Sequence, residues 1–310
     1  METSDPVSSG TAEEQAVRVT LLKGPGAIGA VSMMQKSKAG RTRGKYEFHL
    51  ADSIEEAAGE LKKSKTDIVL MPIPDAAVLY QQSNRQVQIC CINSVTPIYI
   101  LEKGEEIGAP EDLKGRRVLA LGKDTLPQYA MEFLMQKAGL TADDLTLNYA
   151  DSLESAVREL ASGGYDAVLM PQPFAGAVMK ADPKFRIALD CAAIWEESHK
   201  GSKAVTGGVT VRAAFAAEQA EKLRLFLKEY AASAAFANSQ VEETAGLCEA
   251  FGILEKGSAV QAVSDCGITC IVGNQMKTMT QEFLAAVKKV NPAAVGGALP
   301  EEQFYWTSFS

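Results

Sequence analysis

The 310-residue sequence has no apolar run of about 18 residues or more, so no segment reads as a bilayer-spanning helix. It has no basic run, and its net charge is −8. That excludes the positive footprint a nucleic-acid binder needs. Histidine is scarce, with two in the chain. No His-Glu-x-x-His, Gly-x-Ser-x-Gly or P-loop motif occurs. The acid pairs Glu55/Glu56, Asp143/Asp144 and Glu242/Glu243 fall at expected helix starts, where the helix dipole accounts for them. This scarcity argues against acid–base enzymology; no cofactor and no metal are expected.

Six cysteines are too few for a disulfide scaffold. Cys90 and Cys91 lie in a strand-like run and read as buried small hydrophobes. Cys266 and Cys270 are close enough in sequence for a disulfide or metal pair, but no second pair completes a zinc site. His49 lies in the strand-like YEFHLADS and reads as structural; His199 reads as a solvated loop residue. The leader METSDPVSSGTAEEQ has neither a basic n-region nor an apolar h-region, so residues 1–15 are expected to be disordered rather than a secretory signal.

What remains is an ordinary globular composition, 46% hydrophobic and 23% charged, at a length that suggests two domains or lobes. An internal repeat supports two. Residues 51–78 align without a gap on 150–177, and 14 of those 28 positions are identical. The same offset carries Arg18-Val19 onto Arg117-Val118. Short branched strands (VRVTLL, DIVLM) alternate with helical patterns such as AIGAVSMMQK and SIEEAAGELKKS, the latter with Ser53 as N-cap and Glu56 completing a capping box. Such alternation predicts parallel α/β sheets, here two lobes of similar design. After the second copy come a strand over 205–212 and helices over 213–238, 241–251, about 257–264 and 275–290.

Gly24-Pro25-Gly26-Ala27-Ile28-Gly29 follows a strand and matches the dinucleotide fingerprint, with Glu47 where a ribose-binding acid would sit. The equivalent loop of the second copy, Gly122 to Pro127, lacks it. Both loops end at a helix N-terminus, where free N–H groups and the dipole favour an anion or a polar ligand edge. Thr125 reads as an N-cap, with or without a ligand near its hydroxyl. Met-Pro-x-Pro ends a strand at Pro72-Ile73-Pro74 and again at Pro171-Gln172-Pro173. Ligands of open parallel sheets lie beyond the carboxyl ends of the strands. Ile73 and Gln172 fall at that edge, Gln172 able to donate and accept, with Phe174 as an aromatic wall or as core.

The series KGPGAIGAVSMM, DIVLMPIPDAAVLY, INSVTPIYILEKGEEI, DAVLMPQPFAGAVM, VTGGVTVR and NPAAVGGALPEEQFYW resembles extracytoplasmic substrate-binding proteins of ABC importers. The likeness is to the group that binds nitrate, sulfonates, taurine and thiamine precursors, over about residues 16–306. It implies an α/β type II periplasmic-binding-protein fold, with two lobes on a two-strand hinge and a small ligand trapped between them. Lobe 1 would span 16–96 plus 208–310, and lobe 2 would span 97–207. The family's contact loops fall on Gly24, Pro25, Gly26, Ala27, Pro72, Ile73, Pro74, Ser94 and Thr96. In the second lobe and at the hinge they fall on Lys123, Asp124, Thr125, Gln172, Pro173, Phe174, Thr206 and Gly207. The implied partners are an ABC permease and its ATPase. Family members reach the membrane through a lipid-modified Cys that this chain lacks. Ile73 and Asp75 stand where relatives often have a polar residue, which points to an aromatic or partly apolar ligand rather than a small, highly charged anion. Two rival readings are an enzyme on the same fold, making pyrimidine or menaquinone precursors, and an NAD(P)-dependent Rossmann oxidoreductase.

Overall fold

The structure is a computed structural model that describes residues 15–123, 125–199 and 203–309, apart from the side chains of residues 258, 261 and 262. The expected leader, up to residue 14, and Asp124 lie outside the described residues. The chain first lays down β1 (Val17–Leu22), α1 (Pro25–Lys38), β2 (Tyr46–Ala51), α2 (Ile54–Lys62), β3 (Ile68–Pro72), α3 (Ile73–Gln82) and β4 (Val87–Ser94). It then builds β5 (Ile98–Glu102), β6 (Arg117–Leu121), α4 (Leu126–Ala138), β7 (Thr146–Ala150), α5 (Leu153–Ala161), β8 (Ala167–Pro171), α6 (Phe174–Ala181), β9 (Arg186–Asp190) and α7 (Cys191–Ser198). It returns with β10 (Gly207–Arg212), α8 (Ala213–Glu218), α9 (Ala220–Ser239), α10 (Val241–Ala250), α11 (Lys256–Asp265), β11 (Ile268–Ile271) and α12 (Gly273–Val290).

Two sheets result. One has the order β11-β4-β10-β3-β1-β2 and the other β7-β6-β8-β5-β9. Each contains a parallel triplet, β3-β1-β2 or β8-β6-β7, as the alternating pattern predicts. The sheets are not wholly parallel. The returning strand β10 runs antiparallel to β3 and β4, and β5 runs antiparallel to β8 and β9. The reason is the crossover: a strand that leaves one sheet at its ligand edge enters the other from that edge.

The repeat has a structural signature. Asp67 takes a bidentate grip from Arg18, at 3.0 and 2.7 Å, and Asp166 takes the same grip from Arg117, at 3.2 and 2.7 Å. In both copies the arginine lies at the start of the middle strand of the parallel triplet and the aspartate precedes the neighbouring strand. In the first sheet Arg212 of β10 adds a second guanidinium to Asp67 at 2.7 Å. Burial pushes the Asp67 carboxyl up, but hydrogen bonds from Arg18 and Arg212 outweigh it and hold the group below the ordinary range.

Helices cover both faces of each sheet. Val19, Leu21 and Ile28 pack with Phe226 and Tyr230 on one face of the first sheet; Val69, Ile73 and Tyr80 pack with Phe283 and Phe304 on the other. Val118 and Leu134 mark one face of the second sheet, Leu119 and Val178 the other. The helical reading of 213–238 resolves into α8 and α9, broken at Gln219. The capping box of α2 closes one residue early: Ser53 accepts from Glu56 N–H, while Glu56 accepts from Asp52 N–H.

Candidate ligand-binding cleft

The chain passes between the sheets twice, at residues 94–98 and 205–207, and the two passages are knitted together. The Thr206 hydroxyl donates to the Ser94 carbonyl at 3.1 Å and accepts from Thr96 N–H at 2.8 Å. Thr206 N–H also donates to the Ser94 carbonyl, at 3.1 Å. The Thr96 hydroxyl donates to the Cys266 carbonyl at 3.0 Å. On the second sheet Gln172 N–H donates to the Pro97 carbonyl at 3.1 Å.

Above these passages the carboxyl ends of β1, β2, β3, β6 and β8 face one cleft of about 510 Å³. It is lined by Gly24, Pro25, Gly26, Pro72, Ser94, Thr96, Thr125, Gln172, Pro173, Phe174, Thr206 and Gly207 of the residues expected from sequence. Four others are elsewhere. Ala27 is buried in the first turn of α1. Ile73 opens α3 with its side chain in the core, against the space of Gly208, because the residue between the two prolines is already helical. Pro74 is buried in α3. Lys123 is exposed and does not line the cleft. Asp124, as noted, is outside the described residues.

Several expected ligand groups already have protein partners. Gln172 is 3% exposed. Its Oε1 accepts from Gly176 N–H at 3.1 Å, and its Nε2 donates to Asp265 at 3.3 Å. Thr125 holds the N-cap position of α4 without capping it; its hydroxyl donates to the Gly122 carbonyl at 2.8 Å. Gly122 has φ +89°, and a Cβ there would meet Thr125 Oγ1 at 2.6 Å. Asp75 lies outside the cleft lining on the first turn of α3. Burial pushes its carboxyl up to about 7, and the charge of Glu55 adds to the shift.

The strand ends add residues the sequence reading passed over: Leu22, Lys23, Asp52, Ser53, Ile54, Leu70, Met71, Asn93, Leu121 and Leu126. Asp52 to Ile54 could have been found from the strand-end rule alone, since they follow β2 directly. Asn93 could not, because its inward placement depends on residues far away in the sequence. It is 1% exposed; its Nδ2 donates to the Gly208 carbonyl at 3.2 Å, and its Oδ1 has no partner among the described residues. The N-cap residues of α1 and α4, Gly24 and Thr125, make no side-chain cap hydrogen bond. Lys23 and Asp52 are the charged groups among the described lining residues.

Gly26 and Gly29 of the apparent dinucleotide motif serve packing. A Cβ on Gly26 would sit 2.9 Å from Asn93 Nδ2, and one on Gly29 would sit 2.6 Å from the Tyr230 hydroxyl. The cysteine reading also changes. Cys266 is buried, and the sulfur near Cys270 is Cys91, whose thiol donates to it across 3.4 Å. That hydrogen bond holds the Cys270 thiol below its usual range, while burial raises Cys91. His199 is half-buried, stacked on Trp195 at 4.0 Å between ring centroids, rather than solvated.

Two mixed α/β sheets, a paired crossing and an interlobe cleft at the strand ends define a two-lobed binding protein of the periplasmic type. The chain belongs to the ABC transporter, phosphonate, periplasmic substrate-binding protein family, whose profile matches residues 35–261. It is thus a substrate-binding component of ABC import. Among curated proteins no sequence matches. Solved structures share the fold. An ABC transporter from Parabacteroides distasonis superposes with TM-score 0.80 at 22% identity, over 95% of this chain and 100% of its own. The periplasmic aliphatic sulphonate binding protein SsuA from Escherichia coli gives 0.74 at 16%, over 94% and 92%. The desulfurization enzyme DszB gives 0.64 at 13%, over 94% and 97%. Among the described residues no helix is long and apolar enough to cross a membrane.

Proposed function

We propose that the cleft captures a small organic oxyanion, a phosphonate or sulfonate carrying an apolar or aromatic part, for delivery to an ABC permease and its ATPase outside the cytoplasm. The observation that carries this reading is the cleft's composition. The N-termini of α1 and α4 approach it from the two sheets, so the positive ends of two helix dipoles offer a place for an anion. Ile54, Leu70, Met71, Leu126 and Phe174 offer an apolar surface beside it. The family and the sulphonate-binding SsuA favour the same ligand class.

In this reading residues 16–96 plus 208–310 form one lobe and 97–207 the other, closing about the paired crossing. The ligand drives closure only by its differential contacts with both lobes. Binding rather than turnover is favoured because neither a thiol nor an imidazole is among the described cleft residues.

A thermal-shift panel tests this. Alkyl- and aryl-phosphonates and -sulfonates, nitrate, thiamine precursors and NAD(P) are added to dialysed protein. A ligand at 100 times its Kd adds about 2.7 kcal/mol, which is readily seen as a raised Tm. The expected result is stabilisation by a phosphonate or sulfonate that is recovered chemically unchanged, and weaker stabilisation after Phe174→Ala. Stabilisation by NAD(P) alone, or consumption of the ligand, overturns the reading.

A further inference from the structure

One donor set lies outside the cleft and is unused by it. His49 lies on the edge strand β2, with its side chain 51% exposed. Glu56 and Glu60 are one turn apart on α2, so their carboxylates share a face. Their Oε1 atoms lie 3.5 and 3.7 Å from His49 Nε2. One ligand atom from each of the three residues can be chosen so that all lie within 4.8 Å of one another.

The carboxylates are held from outside the trio. Glu56 Oε2 accepts from Asp52 N–H at 2.8 Å, and Glu60 Oε2 accepts from the Thr20 hydroxyl at 2.8 Å. Thr20 is buried on β1, directly opposite His49 in the strand register. In each glutamate the second oxygen is therefore the one turned toward the imidazole. Like charges one turn apart repel. Among the described residues His49 is the basic partner of both glutamates, and no lysine or arginine pairs with either. A cation between them would remove the repulsion.

The two spacings from His49 are close to those between the ligands of one metal ion. Ligand atoms at about 2.0–2.2 Å from a tetrahedral ion are separated by roughly 3.3–3.6 Å. The exposed side leaves a coordination position for water. One imidazole with two carboxylates matches zinc-type ions, whereas magnesium and calcium select oxygen donors. We propose that His49, Glu56 and Glu60 form a surface site for a divalent transition metal, with Zn²⁺ the fitting ion. The site adjoins the cleft through one peptide: Asp52, whose N–H anchors Glu56, begins the segment Asp52–Ile54 that lines the cleft wall. A bound ion would fasten β2 to α2 behind that wall.

The test is calorimetric titration of Zn²⁺ alone into the chelator-treated full chain. One saturable equivalent is expected, with affinity falling at least about tenfold in His49→Ala and again in the near-isosteric Glu56→Gln. Cys270→Ser is expected to bind as the parent does, and Mg²⁺ to give no saturable heat. Circular dichroism of the metal-free variants checks that each is folded; the shape-conserving Glu56→Gln keeps the test sound if His49→Ala is not. Absence of saturable binding, binding unchanged in the folded variants, or binding lost in Cys270→Ser overturns the proposal.

Discussion

At the scale of single residues, Asp67 bears the most concentrated electrostatics of the first sheet. Its side chain is 5% exposed between two guanidiniums, those of Arg18 and Arg212. Removing its charge leaves both cations facing an uncharged amide, so Asp67→Asn is expected to cost about 3 kcal/mol at neutral pH, read by urea denaturation. The pH dependence follows from the depressed carboxyl. Its contribution is complete above the unfolded carboxylate value of about 3.9 and is lost as pH falls through the lower folded value. The variant should lose less stability than the parent below about pH 4. The repeated pair Arg117–Asp166 is more exposed, at 49% and 31%, and Asp166→Asn should cost under about 1 kcal/mol. Much of the cleft could be read residue by residue because helix-opening loops and strand ends are local features. Ile73 could not, since its inward direction depends on helix phase, and Asn93 could not, since its place is set by contacts with Gly26 of α1 and Gly208 of β10, both distant in sequence.

At the scale of elements, the contact between α1 and α9 depends on the absence of a side chain. Gly29 faces the Tyr230 hydroxyl, and Ile268 Cγ2 lies 3.0 Å from where a Cβ would be. Gly29→Ala gains helix propensity of about 1 kcal/mol but overpacks a fully buried tyrosine at a cost of about 1–3 kcal/mol. A net loss is expected, partly restored by Tyr230→Phe in the same chain, with Tm as the readout. The strand–helix alternation was legible because β1, β3, β6 and β8 are short apolar runs and α2 carries its own cap. β11 was not, because ITCI is four residues long and becomes a strand only by pairing with β4. The antiparallel strands were not either, since strand direction is a property of the connection rather than of the residues. Cys270 gives an element-level check on β11. It is the half-exposed thiol among otherwise buried ones and carries a lowered pKa, so alkylation followed by peptide mass spectrometry should find it modified first.

At the scale of the whole molecule, the sequence repeat reappears as a pair of sheets, each with the same arginine–aspartate lock. The sheets differ in what surrounds them: the first also receives β10 and β11 from the later part of the chain. The returning strand has a consequence in time. β10 lies in the middle of the first sheet, between β3 and β4, yet it is made only after the whole of the second sheet. Until residue 212 is available, the first sheet has a gap one strand wide, and Asp67 lacks its second arginine. The second sheet draws its five strands from one continuous stretch, so no such wait applies to it. Refolding of the full chain should follow the same order, because β10 must pair with β3 and β4 across the whole second sheet, a longer loop than any pairing among β5 to β9 closes. Pulse-labelling hydrogen exchange on the full chain is expected to find amides of β5 to β9 protected before those of β3 and β4, with simultaneous protection the contrary result. The insertion that creates a cleft thus also sets a clock, letting one half of the molecule mature while the other waits for its keystone.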